Sequence, residues 1–366
     1  MKRLLSFVIA ALTALTFVGC GGENSSIDKN PSSTDSTSVD ATNESVKEPT
    51  EATKPEKTTD KKEVEAHGEY VSNGVLINGE GDNIRAIELY GGSFDIGSTY
   101  ADTINKYKES LGDMVNVYNM CIPTSFAYYL PTKLENEYAS QYDNIRNIQS
   151  QLKNVIDVDI YDTLSKHSDE YIYFRTDHHW QPIGAYYAAQ VFAERAGITQ
   201  FPDISTYQKV VYEGFLGSLE GYAQSNELAA HPDVFTYYKP ANLKSLTTTY
   251  YDTSFSNPVE SSLFFDDFEM KNAYSTFLGD DREIAKIDTN VQNGRTLVVF
   301  KDSFGNALIP FLTQSFEHIY VCDIRYFDLN SISFCKNAGA TDVLFATCMF
   351  TCTGGNANLL SDLMNQ

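Results

Sequence analysis

The chain has 366 residues, with 27 Lys and Arg against 49 Asp and Glu, a formal charge of −22 at pH 7. An acidic surface of this kind argues against nucleic acid as a partner, because phosphate binding needs basic patches, and against docking to strongly anionic polymers. It fits the solvated exterior of an exported protein.

The N-terminus reads as an export signal. Lys2 and Arg3 precede an apolar stretch, Leu4 to Val18, too short for an ordinary membrane span. It closes on Gly19-Cys20, followed by Gly21-Gly22. This arrangement resembles a bacterial lipobox, which implies cleavage after residue 19 and lipid on Cys20. Acyl chains give membrane affinity at roughly 0.8 kcal/mol per buried CH₂. The mature protein is then expected to be anchored to the outer face of a cell membrane without spanning it. Residues 21–66 hold no Phe, Trp or Tyr and are dominated by polar residues and Pro. They cannot bury enough apolar surface to offset ordering entropy, so 20–66 is expected to be a disordered tether.

Residues 67–366 are a different material, rich in Tyr and Phe and long enough for one large α/β domain or two smaller ones. The pattern predicts strands over 69–77 and 84–89, a helix over 100–111 stopped by Gly112, and a strand over 114–122. A long helix over 132–152 and strands over 155–160 and 170–174 follow. Pro182 suits the first turn of a helix running to Arg195 and ending at Gly197. Residues 200–282 are irregular and read as an insertion or cap. Three apolar runs, 296–300, 318–322 and 342–346, separated by short helical patterns, predict a β-α-β-α-β unit. Its strands are too apolar for one-sided exposure. The fold class is therefore α/β, a three-layer sandwich around a mainly parallel sheet, with ligands expected at the carboxyl ends of the strands.

Five cysteines remain besides Cys20, and an odd number cannot all pair within one chain. Cys121 and Cys322 lie in apolar runs and read as small buried hydrophobes. No His stands near Cys348 and Cys352, so they do not read as a zinc site.

Two segments carry chemistry. Asp177-His178-His179-Trp180 offers a carboxylate and an imidazole two residues apart, whose side chains project together if the backbone is extended. Lys301-Asp302-Ser303-Phe304 places a serine just past an apolar strand and before a helix. A serine hydroxyl needs a positioned base, and the base needs an orienter. Asp177 as orienter, His179 as base and Ser303 as nucleophile satisfy that need. His178 as base, Asp177 as a helix cap and Asp302-Ser303 as another cap are the alternatives. Metal binding by Asp177, His178 and His179 is disfavoured because adjacent histidines rarely converge on one ion. Neither metal nor cofactor is expected.

Tyr173-Phe-Arg-Thr-Asp-His-His-Trp180, Gly184-Ala-Tyr-Tyr187 and Lys301-Asp-Ser-Phe304 together resemble the bacterial DHHW protein family. That family is similar to the SGNH-hydrolase-like domain of the alginate O-acetyltransferases. The resemblance implies the same roles for Asp177, His179 and Ser303, in a chain order that differs from ordinary SGNH hydrolases, where the serine comes first. The Gly and Asn oxyanion donors of those enzymes have no clear match. Gly91, Gly92 and Asn119 are candidates beside the Ser303 N–H. Arg175 and Trp180 match family positions and are candidates for substrate contact, with Trp180 either stacking on a sugar or packing in the core. The expected activity is O-acyl transfer, of acetyl above all, to a surface polysaccharide or cell-wall glycan. The implied partner is a membrane-bound O-acyltransferase. An esterase with the same triad and a non-catalytic glycan-binding lipoprotein are the other readings.

Overall fold

The computed structural model describes residues 62–366. The expected export signal, the expected lipidation site Cys20 and the expected tether up to residue 61 lie outside them. Residues 62–66, expected to belong to the tether, lie along the body: Val64 and Thr132 exchange two hydrogen bonds of 3.0 Å.

Thirteen strands occur among the described residues. They are β1 (Tyr70–Ser72), β2 (Val75–Asn78), β3 (Arg85–Glu88), β4 (Asn116–Ile122), β5 (Ile156–Asp157), β6 (Gln208–Phe215), β7 (Asp233–Lys239), β8 (Thr247–Tyr251), β9 (Val259–Ser261), β10 (Ile284–Asp288), β11 (Thr296–Lys301), β12 (His318–Asp323) and β13 (Asp342–Cys348). Eight form the central sheet in the order β5-β4-β13-β11-β12-β10-β8-β9. The first five run parallel, and β10, β8 and β9 continue antiparallel. β11 and β13 are buried along their whole length, as their unbroken apolar runs require.

Helices cover both faces. On one, Asn119, Phe345 and Phe300 share a row across β4, β13 and β11. There Tyr107, from the helix Phe94–Leu111, packs on Phe345 at 4.7 Å and on Phe300 at 6.0 Å. On the other, Tyr118 meets Phe192 of the helix Pro182–Arg195 edge-on at 5.1 Å. The result is the expected three-layer, mainly parallel α/β sandwich, an SGNH-hydrolase-like architecture.

Local departures have local causes. The strand expected over 69–77 is a hairpin, because Asn73 and Gly74 both take positive φ (52° and 81°) in a two-residue turn. The helix expected over 132–152 is interrupted: Ser140 accepts from the Asp143 N–H and starts a new helix, Gln141–Gln149. The run 155–160 shortens to β5, and 170–174 is a loop rather than a strand. Residues 200–282 are less of an insertion than expected. They contain the β6–β7 ribbon, and β8 and β9 extend the central sheet itself. All five cysteines of the body are buried and unpaired.

Candidate active site

The two chemistry-bearing segments meet at the carboxyl edge of the parallel strands. Residues 173–180 form a tight loop closed by a bridge between Tyr173 and Trp180 and a 3.3 Å bond from Phe174 N–H to the His179 carbonyl. The fully buried Asp233 carboxylate at the start of β7 fixes the base of this loop. It accepts from the N–H groups of Arg175 and Thr176 at 3.1 and 2.8 Å and from the Thr176 hydroxyl at 2.6 Å. Asp177 and His179 project together although residues 175–179 are bent rather than extended, so the loop's own bonds bring them together and not strand alternation.

His179 Nδ1 lies 2.7 Å from Asp177 Oδ1, and the His179 N–H donates to the same oxygen at 2.9 Å. Nε2 of the ring lies 2.8 Å from Ser303 Oγ. The imidazole stacks parallel on Tyr274, with centroids 3.8 Å apart and planes inclined by 5°. Burial alone would raise the Asp177 carboxyl. The adjacent His178 and His179 rings and the donors from His179 and Ser218 outweigh burial and hold it well below the usual carboxylate range. Asp177 is thus a carboxylate at any physiological pH.

Ser303 stands two residues past the end of β11. Asp302 fixes its turn, accepting from the N–H of Phe304 at 3.1 Å, of Cys348 at 2.7 Å, and from the Thr351 hydroxyl at 2.8 Å. Gly305 is required here, since a Cβ on it would lie 2.5 Å from Lys301 Cβ. The short helical pattern expected after this strand is two separate turns, 303–307 and 309–312, so little macrodipole is directed at the serine. Lys301 neither neutralises Asp302 nor faces solvent. It is buried and pairs with Asp323 at 2.6 Å.

Around Ser303 and His179 opens a cleft of about 560 Å³, reached by Gly217, Ser218, Asn306 and Arg325 among others. Several predicted residues are not part of it. Trp180 is fully buried and donates its indole N–H to the Phe304 carbonyl at 3.0 Å, so of its two readings core packing holds, and its candidacy for substrate contact is corrected. Arg175 pairs with Asp233 at 3.2 Å and bonds the Pro232 carbonyl, which corrects its assignment to substrate contact. Asn119 is buried under the Phe94–Leu111 helix, accepting from the Tyr100 hydroxyl at 2.9 Å, and is removed as an oxyanion donor. Gly92 packs on Tyr90 and Thr353, and neither it nor Gly91 lines the cleft.

Sequence reasoning missed Ser218, Gly217 and Tyr274. All three come from the irregular 200–282 region and carry no motif. A Gly-Ser pair in a loop and a tyrosine among many aromatics gave no signal that they would face the tetrad. His178 sits with Nδ1 2.5 Å from Ser218 Oγ and its ring 3.8 Å from that of His179. Ligand atoms of Asp177, His178 and His179 lie within 4.8 Å of one another, close enough in principle for one cation. Both nitrogens of His179 already face protein partners, and Asp177 accepts from several donors, so the group reads as a hydrogen-bonded relay.

The DHHW protein family matches residues 57–322. The chain belongs to that family. A crystal structure of a DHHW family protein from Eubacterium siraeum is 45% identical, with a TM-score of 0.77 over 81% of this chain and 98% of that one. Bacillus cereus PatB1, solved free and with a sulfonyl adduct, shares the fold: for the adduct structure the TM-score is 0.63 at 19% identity, over 78% of this chain and 98% of that one. A weaker likeness, TM-score 0.46 at 14% identity over 80% and 99% of the two chains, is to the O-acetyltransferase domain of Pseudomonas putida AlgJ. No match was found among curated protein sequences.

Proposed function

We propose that this DHHW protein is an extracytoplasmic O-acyltransferase that places an acetyl or similar acyl group on a hydroxyl of a surface polysaccharide or cell-wall glycan. The observation that carries the reading is the continuous relay from Ser303 Oγ to His179 Nε2, 2.8 Å, and from His179 Nδ1 to Asp177 Oδ1, 2.7 Å, opening on a cleft. In this reading Ser303 Oγ attacks the acyl carbonyl of the donor and its proton passes to His179 Nε2. Asp177 holds the ring in the tautomer that leaves Nε2 free to accept, and stabilises the imidazolium. The Ser303 N–H is the candidate for holding the oxyanion. Collapse expels the donor's leaving group, which takes the proton from Nε2. A glycan hydroxyl then gives its proton to Nε2 as its oxygen attacks the acyl-serine, and the proton returns to Ser303.

The lipobox-like Gly19-Cys20 supports anchoring of the chain by lipid to the outer face of the membrane. A membrane-bound O-acyltransferase delivering the acyl group is the partner this reading implies. Loss of lipid incorporation on Cys20→Ser, measured by labelled fatty acid, tests the anchor.

The decisive assay supplies a chromogenic acetyl ester with and without an oligosaccharide acceptor and follows acetylated product by mass spectrometry. Acetylated oligosaccharide from the native protein and none from Ser303→Ala supports transfer. Equal ester cleavage with no acetylated product identifies an esterase instead. Failure of a sulfonyl fluoride to label Ser303 while oligosaccharide still binds favours a non-catalytic glycan-binding protein; PatB1 has been solved with a sulfonyl adduct.

A further inference from the structure

Asp177 has a second branch that the relay above does not use. Its Oδ2 accepts from the Ser218 N–H at 2.9 Å and from the Ser218 hydroxyl at 3.1 Å. Ser218 Oγ in turn lies 2.5 Å from His178 Nδ1. The proton positions follow from simple counting. Asp177 is ionised and only accepts, so the one hydroxyl proton of Ser218 goes to it. Ser218 Oγ must then accept from His178, which places a proton on His178 Nδ1. The segment holding Ser218 is tied closely to the tetrad loop. Gly217 N–H donates to the Thr176 hydroxyl at 3.1 Å, and Glu220 N–H donates to the Thr176 carbonyl at 3.0 Å. A Cβ at Gly217 would lie 2.3 Å from Asp177 Cβ and 2.5 Å from Oδ2, so no larger residue allows this approach. The charged and titratable groups near enough to act on the His178 ring are Asp177, His179, Glu88 from β3 and Asp302 before the serine.

We infer that Ser218 and His178 act as one positioning unit, a second arm that fixes the Asp177 carboxylate in the plane of the His179 imidazole. Asp177 then has both oxygens occupied, Oδ1 by His179 and Oδ2 by Ser218, and cannot rotate away from the ring as protons move. The inference rests on the proposed triad. It adds that the second histidine of the tetrad acts through Ser218 and that neither residue touches the reacting atoms.

The test is a double-mutant cycle on the full protein, with Ser218→Ala, His178→Gln and both together, plus Ser218→Thr. Ester cleavage gives kcat and KM, and thermal unfolding confirms that each variant folds. The expected result for Ser218→Ala is a fall in kcat of about tenfold, with KM within about twofold, since positioning of the base acts on the chemical step. Ser218→Thr should recover most of the loss. His178→Gln should cost several-fold alone and nothing further in the Ser218→Ala background. Additive losses, or a raised KM with kcat kept, would overturn the inference and make either residue part of a substrate subsite. The downfield proton of the His179–Asp177 bond, followed by NMR, reads the same tethering without turnover. Ser218→Ala should broaden it through faster exchange, and an unchanged signal counts against the second arm. Native protein that neither cleaves ester nor labels with sulfonyl fluoride would sink the proposed function, while the NMR signal would still decide whether the arm exists.

Discussion

The Trp180 indole N–H donates to the Phe304 carbonyl at 3.0 Å, so the neighbour of the imidazole in one segment is tied to the neighbour of the serine in the other. Trp180 follows His179 and Phe304 follows Ser303. One buried bond between segments 124 residues apart therefore fixes the distance between nucleophile and base. The Tyr274 hydroxyl approaches the same carbonyl at 3.4 Å. Trp180→Phe removes the donor and part of the packing, and is expected to lower stability by about 1–3 kcal/mol, read by denaturant unfolding. Turnover should fall more than the midpoint shift explains, because the Ser303 to His179 spacing loosens. A variant with lowered stability and native kcat would show that other contacts set that spacing.

Asp177→Asn keeps the size of the side chain but turns an acceptor into a partial donor facing the Ser218 N–H and the His179 N–H. The ring then favours the tautomer that protonates Nε2, which cannot accept from Ser303. The expected loss in kcat for ester cleavage is roughly 10³- to 10⁴-fold with KM little changed. Sulfonyl labelling of Ser303 should slow in parallel. Labelling at the native rate would mean that Ser303 is activated without Asp177.

Much of this site was legible before the fold. The tetrad and the Asp-Ser block carry their chemistry in residue type and order, and the apolar runs of β11, β12 and β13 predicted the parallel sheet that brings the serine to its carboxyl edge. What was not legible depends on contacts from remote segments. The Asp177 Oδ2 partner comes from Ser218 and the stacking partner of His179 from Tyr274, and neither stands at a distinctive spacing from the tetrad. Long-range pairing of that kind is set by packing, not local pattern. Arg175 and Trp180 misled for the opposite reason. Polar and aromatic residues beside a catalytic motif suggest substrate contact, yet both side chains secure the loop from below, through Asp233 and the Phe304 carbonyl.

Tyr274 gives a test of the stacking itself. Its ring lies flat on the His179 imidazole and restricts rotation of the base about its own axis. An aromatic pair of this kind contributes about 0.5–1.5 kcal/mol beyond burial, enough for up to about a tenfold change in rate. Tyr274→Phe keeps the stack and should retain most activity, whereas Tyr274→Leu should lose several-fold in kcat. Equal effects from both substitutions would assign the contribution to the hydroxyl and not the ring face.

A pH-dependent instability is expected at the far edge of the sheet, where Asp157 closes β5. Burial, and then the nearby Asp159, push its carboxyl up to about 7, against the opposing pull of Arg146, Arg195 and Gln149. The folded protein therefore holds this proton more tightly than the unfolded chain, whose value is the ordinary 3.8. Below that value both states are protonated and the shift has no further effect. Between it and about 7 the unfolded chain ionises first, so stability falls as the pH rises through that window and then levels off. Asp157→Asn removes the ionisation while keeping the backbone carbonyl that accepts from Arg195 Nε at 2.9 Å. The variant should match the native melting temperature near the bottom of the window and exceed it above the top, by a margin that grows between the two. Melting curves at a series of pH values measure this, and a native–variant difference that does not vary with pH would locate the strain at this edge somewhere other than the Asp157 carboxyl.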